Sequence, residues 1–516
     1  MKNILFAPLY LARLTRAAWV LMRAGLPLLF GADALPGPLR WLARALVRRA
    51  DKDRKVSQTL AGALETLGPS YVKFGQFLAT RADIIGAPAA TRLADLQDAM
   101  APFPQADARA VIETTFGKPV DELFAEFGPA IAAASVAQVH KARRDDAING
   151  NELAVKILRP GIEARFARDL ESYFFAARAI ELVHTPIRRL RPVDVVATLA
   201  RTVEIEMDLR LEAAAISEMA ENTVDDPDFS VPQVDWTRTG KQVLTTQWID
   251  GIALHKLEAL EAAGHDRKRL ARIVVQSFLT HAMRDGFFHA DMHPGNLFAD
   301  AQGCLVAVDF GIMGRLSPRD RLFLAEILLG FIERDYARVA QVHFDAGYVP
   351  PHHTAAEFSQ ALRAIGEPLL DKTAQDVSMA RLLTQLLQVT DQFDMVTQPQ
   401  LILLQKTMVV AEGVARMLDG TFDMWSTAEP VVRDFLERRL SPEGRIQDAA
   451  SGALSLGRLM AGLPDILDQA EKATAGLARL AAGGAGPEHD RQPTAYRWPL
   501  WIGAGALVVL AVSQIL

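Results

Sequence analysis

A single cysteine, Cys304, stands among 516 residues. That excludes an intrachain disulfide and a cysteine-built metal centre, and it suits a reduced compartment. An excess of positive charge is also lacking. The 56 basic and 62 acidic residues leave a net charge of -6, which argues against nucleic-acid binding by bulk charge. With half of the residues hydrophobic and 23% charged, the chain can bury a sizeable core, and neither general disorder nor a collagen-like fold is compatible with it. No repeat of fixed period stands out. The length allows two to four domain-sized units.

The charge is unevenly placed. Residues 1–56 carry eleven basic and three acidic residues, a local +8. Leu11, Trp19, Leu21, Leu28 and Trp41 are interspersed among the basic positions. A basic, amphipathic, Trp-bearing segment suits an anionic membrane surface, and equally a helical hairpin packed on the main body. Arg13, Arg16 and Arg23 interrupt the apolar stretch too often for a secretory signal. At the other end, Trp498–Leu516 runs 19 residues without a charge. At 1.5 Å per residue this spans about 28 Å, close to a bilayer core of about 30 Å. Tyr496, Trp498 and Trp501 collar its upstream end, with Arg491 and Arg497 alongside. The sequence therefore predicts a C-terminal transmembrane helix, with the basic flank and the body of the protein in the cytoplasm. Residues 483–495 read as a polar Gly/Pro linker before it.

Between these ends, Leu60, Leu64 and Leu67 keep helical spacing until Gly68-Pro69 breaks it. A second helix begins at Pro69 and places Lys73 and Gln76 on one face. At 130–158 the period moves towards two, and Asn149-Gly150 signals a hairpin. The turn before the first strand is Ala132–Ser135, whose small side chains would let backbone N–H groups approach a phosphate. Lys156 lies inside the second strand, opposite its apolar neighbours Val155 and Ile157. A long helical stretch at about 161–220 holds Glu206, Asp208 and Glu212, the last two read as sharing a face. Residues 243–249 read as a strand whose edge could offer backbone groups to an adenine.

The decisive stretch is 286–314. His289-Ala290-Asp291 is followed five residues later by Asn296, and Asp309-Phe310-Gly311 follows a strand-like CLVAV. This is the layout of a protein-kinase catalytic loop and its metal-binding loop. An Asp near the nucleophile orients it or accepts its proton, while an Asn and a second Asp offer Mg²⁺ the oxygen ligands it prefers. Lys156 and Glu212 then fall where such a fold keeps a phosphate-binding lysine and its helix partner.

Together these residues resemble the UbiB family of atypical kinase-like proteins, bacterial relatives of the mitochondrial ADCK-type proteins. The K-x-G-Q motif stands as Lys73-Phe74-Gly75-Gln76, the alanine-rich loop as Ala132-Ala133-Ala134-Ser135, and the E-x-D motif as Glu206-Met207-Asp208. The resemblance implies an α+β, bilobal protein-kinase-like fold with a helical N-terminal extension and the C-terminal transmembrane helix. It implies ATP and Mg²⁺ as cofactors and a membrane-anchored kinase or ATPase supporting ubiquinone biosynthesis. Partners would be the enzymes of that synthesis and polyprenyl-phenol lipids. The location would be the bacterial inner membrane. A scaffold that binds ATP without chemistry is the alternative; small-molecule phosphotransferases lack the K-x-G-Q helix.

Residue by residue, the resemblance implies catalytic roles for Asp291, Lys73, Glu206 and Asp208, with Lys73 meeting the two acids as a lid. Nucleotide contacts fall to Ile131, Ala132, Ala133, Ala134, Ser135, Val136, Ala137, Gln138, Val139, Lys156 and Glu212, and metal ligation to Asn296 and Asp309. Ala290 replaces the arginine common in kinases and no A-P-E follows Asp309, so control by an activation-loop phosphate is not expected. No flavin fingerprint or haem or di-iron ligand set is present, which argues against direct ring hydroxylation. The expected organisation is a basic segment at 1–55, a helical extension at 56–128, an N-lobe at 129–250 and a C-lobe at 251–445. A helical linker region at 446–495 and the anchor at 496–516 complete it.

Overall fold

The computed structural model describes residues 7–24, 56–79, 93, 100–145, 152–183, 191–370, 389, 392–395 and 399–440. They divide into two compact units. One holds the described residues up to 220 together with 232–249, and the other holds 221–231 and 250 onwards.

The first unit is built on a four-stranded antiparallel sheet in the order β1-β2-β3-β5, with β1 at Glu126–Ala133, β2 at Ala137–Arg143, β3 at Glu152–Leu158 and β5 at Val243–Gln247. β3 shows how alternation sorts its residues. Leu153, Val155 and Ile157 are buried in a core with Ile112, Phe124, Phe127 and Val243, while Lys156 emerges on the opposite face. β1 escapes a sequence reading that begins the sheet after the alanine turn. The expected boundary between 128 and 129 falls inside it. The Asn149-Gly150 turn lies outside the described residues. Helices Val56–Leu67 and Pro69–Ala79 meet at Gly68, whose φ of +111° an L side chain rarely adopts. The Arg165 guanidinium fills the space where a Cβ would stand and donates to Leu67 O at 3.0 Å. Tyr71 and Phe74 pack their rings on Tyr173 of helix Ile162–Val183, at 5.5 and 5.0 Å between centroids. Ser70 adds a hydrogen bond to Asp169. The K-x-G-Q helix is thus fastened by its buried face.

The long helical stretch is three helices, Ile162–Val183, Pro192–Glu206 and Leu209–Asn222. The break at Met207-Asp208 corrects the reading of Asp208 and Glu212 as one helical face. Asp208 accepts from Arg210 N at 3.1 Å, a local bond that starts a new helix and ends the previous one. Glu206 closes one helix; Glu212 stands in the first turn of the next.

The second unit contains the sheet β4-β9-β8-β6, with β4 at Phe229–Ser230, β6 at Ile252–Ala253, β8 at Leu297–Ala299 and β9 at Leu305–Ala307. A two-stranded ladder pairs β7, Phe287–His289, with β10, Met313–Arg315. The helix Arg267–Thr280 begins at Asp266, which accepts from Lys268 N and Arg269 N. Its face of Leu270, Val274, Phe278 and neighbours is buried, and it packs on helices Pro399–Leu418 and Met424–Leu440.

The expectation of a kinase-like fold completed by a transmembrane helix is corrected. No helix among the described residues is long and apolar enough to cross a membrane, and the 496–516 span and 446–495 linker lie outside those residues. Pro399–Leu418 has the length to span, but it carries Lys406, Glu412 and Arg416 and its apolar side faces other helices. Among the described residues the architecture is kinase-like α+β with no helix long and apolar enough to span a membrane, and the inner-membrane placement that rested on such a helix is withdrawn.

Candidate functional site

In the first unit, the expected lysine and its partner meet. Lys156 Nζ lies 2.8 Å from Glu212 Oε1, with side-chain exposures of 19% and 8%. Antiparallel pairing of β3 with both β2 and β5 fixes the lysine's backbone, opposite Val139 and Leu244. Largely shielded from water, such a pair is strong in place and costly to break by removing one partner.

A second pair lies on the K-x-G-Q helix. Lys73 Nζ is 2.8 Å from Glu206 Oε2, at 14% and 10% exposure. Asp208 differs from expectation. Its carboxylate takes a bidentate grip on Arg210, 2.9 Å to Nε and 2.6 Å to Nη2. These hydrogen bonds hold the Asp208 carboxyl below its usual pKa. The E-x-D motif therefore splits, with Glu206 facing Lys73 and Asp208 capping a helix.

The alanine-rich turn joins β1 to β2. Ala134 N–H donates to Ala137 O at 2.8 Å, so that amide is committed within the turn. Arg159, unremarked in the sequence, clamps it from below. Its Nε and Nη2 donate to Ala134 O at 3.0 and 2.9 Å, and Nη2 also reaches Ala101 O at 2.8 Å. Ser135 is fully buried and Ile131 is half exposed. Ala132 and Ala133 pair with Val139 and Gln138 in the ladder. The Gln138 side chain is bonded within the fold. Phe103 N donates to Gln138 Oε1 at 2.8 Å, and Gln138 Nε2 lies 2.8 Å from His140 Nε2. His140 Nδ1 lies 2.8 Å from Gly128 O, so the ring is a donor there and an acceptor from Gln138. Burial pushes its pKa down and keeps it neutral. The edge of β5 is partly covered as well, since Asp235 N donates to Thr245 O and Gln247 N to Gln233 O.

In the second unit, a set of mostly backbone bonds assembles the catalytic-loop residues. His289 is buried at the end of β7. Its Nε2 donates to Val308 O at 3.1 Å, and its Nδ1 accepts from Asp291 N at 3.1 Å. Burial lowers its pKa, which favours the neutral ring that this two-sided bonding requires. Asn296 Nδ2 donates to Asp291 O at 3.1 Å and Oδ2 at 3.2 Å. Val308 N donates to Asn296 O at 2.9 Å, tying the two loops. Asp309 follows with φ +63°, a left-handed backbone uncommon outside glycine and tolerated best by Asn and Asp. Phe310 is buried and meets the His289 ring edge-on at 5.0 Å.

With the Asn296 amide nitrogen on Asp291, its oxygen is the atom left to ligate. Asn296 and Asp309 then supply hard oxygen donors of the kind Mg²⁺ takes. One supporting residue gave no local signal. Thr407, buried in Pro399–Leu418, places its Oγ1 3.2 Å from Ala290 O and 2.8 Å from Leu403 O. A distant helix thereby touches the loop between His289 and Asp291.

Comparison with known proteins finds relatives along most of the chain. The model of the ABC1 atypical kinase-like domain matches residues 95–343, and that of the UbiB helical domain matches 362–423. The probable protein kinase UbiB of Marinobacter nauticus is 43% identical over 85% of this chain and 81% of its own. That of Azotobacter vinelandii is 38% identical over 97% and 98%. The Mycobacterium tuberculosis protein Rv3197, solved with erythromycin, is 23% identical with a TM-score of 0.46, over 76% of this chain and 97% of that one. The ABC1 match contains Lys156, Glu212, Asp291, Asn296 and Asp309, and the helical-domain match contains Thr407. The chain therefore belongs to the UbiB family of atypical kinase-like proteins.

Proposed function

We propose that this kinase-like protein turns over Mg-ATP in support of ubiquinone biosynthesis, acting on polyprenylphenol precursors or on the enzymes that modify them. The observation that carries the reading is the bonded set His289, Asp291, Asn296 and Asp309. Asp291 is oriented from both sides, by its own amide on His289 and by the Asn296 side chain on its carboxylate. Its carboxylate is placed to orient an acceptor hydroxyl or take its proton. Asn296 and Asp309 are the residues to hold Mg²⁺, which when bound neutralises charge developing on the phosphates. In the first unit, Lys156, steadied by Glu212, is the cation for α- and β-phosphate oxygens. Lys73, tied to Glu206, fastens the K-x-G-Q helix as a lid that narrows the choice of acceptor.

The test is nucleotide binding and turnover by Asp309→Asn and Asp291→Asn, with and without a phenolic quinone precursor. Asp309→Asn should lose Mg²⁺-dependent affinity. Asp291→Asn should keep binding and lose turnover. Wild-type behaviour of Asp309→Asn would overturn the assignment. Tight ATP binding with no turnover by the wild-type chain would favour the scaffold reading.

A further inference from the structure

A cluster remote in sequence from the kinase motifs has the geometry of a metal site. His352 and His353 sit in the turn before helix Ala355–Leu370, and Asp394 lies in the 392–395 segment. Their ligand atoms all lie within 4.8 Å of one another. His352 Nε2 and His353 Nε2 approach the same oxygen, Asp394 Oδ2, at 3.5 and 3.6 Å.

Those distances decide between two readings. A hydrogen-bonded His–Asp pair sits at about 2.7–3.2 Å, so neither imidazole makes one. Two ligands at about 2.1 Å from one tetrahedral ion are about 3.4 Å apart. The spacing fits atoms that share a cation rather than atoms that bond to each other. The His353 Nε2 atom is itself buried and makes no hydrogen bond within the described residues, so a cation held there would give it the partner that it lacks among them.

The scaffold holds the ligands independently of any ion. The His353 ring packs on Phe393 at 5.0 Å, and Phe393 packs on the buried Phe358, also at 5.0 Å. That aromatic stack fixes Asp394 one residue further on. Asp394 takes φ +48°, which turns its side chain out of the regular backbone direction. The two imidazoles lie 4.2 Å apart between centroids, close enough for both to reach one ion. Glu357, Gln360 and Gln392 line the adjoining cleft with His353 and offer polar company for a water ligand.

We propose that His352, His353 and Asp394 bind one zinc-type divalent cation, clipping the turn before Ala355–Leu370 to the 392–395 segment. Two imidazoles and one carboxylate match Zn²⁺ with water in the fourth position. Mg²⁺ and Ca²⁺ prefer all-oxygen sites and would not be selected here. The inference does not depend on the functional reading above.

The experiment uses the full chain, treated with chelator, dialysed, and kept in excess Mg²⁺ so that oxygen-donor sites are filled. Zn²⁺ is titrated by calorimetry and Co²⁺ by its visible absorption, on the wild type, His352→Ala and Asp394→Asn. Both substituted side chains are mostly exposed, at 62% and 71%, so the variants should fold as the wild type does. The expected result is one equivalent bound by the wild type, with a tetrahedral Co²⁺ spectrum. Affinity should fall at least tenfold in each variant, and Zn²⁺ should raise the melting temperature of the wild type alone. Equal Zn²⁺ affinity in all three, or no binding by the wild type, overturns the proposal. His353 is left intact because its packing on Phe393 would confuse a folding defect with a lost ligand.

Discussion

The two units hold their functional residues by opposite means. In the first, side chains distant along the chain meet as ion pairs. Lys156 and Glu212 are 56 residues apart, and Lys73 comes from an earlier helix still to reach Glu206. In the second, the partners are neighbours in sequence and most bonds use the backbone. His289 to Asp291, Asp291 to Asn296 and His289 to Val308 span 2, 5 and 19 residues. A long-range ion pair rests on two side chains and on everything that positions them. A local backbone-bonded loop rests on one buried organiser. The first arrangement should therefore respond to the balance of charge, and the second to the loss of a single ring.

The sharpest way to break the comparison is His289→Ala. The substitution empties the space of a buried imidazole, removes its contact with Phe310, and leaves Val308 O and Asp291 N without their partner. Cavity and orphaned polar groups together should cost about 3–5 kcal/mol. Chemical denaturation would measure it. A cost under about 1 kcal/mol would show that the loop does not depend on this ring.

Charge balance in the first unit is tested next. Glu212→Gln keeps shape and removes the negative charge beside Lys156. With both groups largely buried, the expected loss is about 2–3 kcal/mol, less than for a fully buried pair because Lys156 retains some exposure. Adding Lys156→Met should recover part of that stability while abolishing nucleotide affinity. Lys73→Ala should cost less, about 1–2 kcal/mol, since rings on Tyr173 hold its helix without it. Its larger effect should be on acceptor choice and nucleotide preference. If stability and nucleotide chemistry both stayed at wild-type values, Lys73 would be an ordinary surface lysine.

The same contrast explains what the sequence revealed. The 289–311 stretch was readable because its partners lie close together at fixed spacing, so a motif carries the geometry. Lys156 with Glu212 is legible only once the kinase layout of 286–314 is read, and Lys73 with Glu206 only through the family resemblance, because nothing local says that a strand meets a remote helix or that two remote helices meet. β1 is hard to read because its Ala130–Ala133 end is alanine apart from the single β-branched Ile131, and because bulges interrupt its register. Asp208 was misplaced because E-x-D reads as continuous helix until the cap at Asp208 is seen. Arg159 holds the alanine turn and Gln138 holds Phe103, both through bonds to backbone that no spacing announces. Thr407 is the extreme case, a buried hydroxyl more than a hundred residues from the carbonyl that it meets.

Acid should stress both units together. His140 in the first and His343 in the second each have a pKa pushed below the usual value by burial. The unfolded chain then takes up protons that the folded chain refuses. Stability is fully present above about pH 6.5 and falls as pH drops beneath it, by at most about 1.4 kcal/mol per pH unit for each ring. Asp226 also has a lowered pKa, through bonds to His281 and Arg284, but a carboxylate of that kind gives up its contribution only below about pH 4. Denaturant midpoints between pH 5 and 7.5 therefore isolate the histidines. A flat profile there would mean that these rings take up protons in the fold as readily as in the unfolded chain.

The smallest effect should come from Thr407→Val, which keeps volume and shape and removes only the hydroxyl. Thr407 Oγ1 has one proton and two carbonyls within reach, at Leu403 one turn back in its own helix and at Ala290 in the catalytic loop. The bond to Leu403 is the ordinary back-bond of a helical threonine and its loss is nearly neutral. The bond to Ala290 O matters more, because that carbonyl lies between His289 and Asp291 and is buried with the hydroxyl. Losing it should cost about 1 kcal/mol. A purely structural hydroxyl would change stability alone. Loss of a positioning hydroxyl should also lower kcat several-fold with KM for ATP unchanged, since Asp291 would be less well aimed while Lys156 and Glu212, the proposed nucleotide contacts, are untouched. Thr407→Ser, which restores the donor, should bring kcat back. Recovery of kcat by serine and not by valine would tie the helical domain to the catalytic loop through one hydrogen bond; equal behaviour of the two variants would reduce Thr407 to packing.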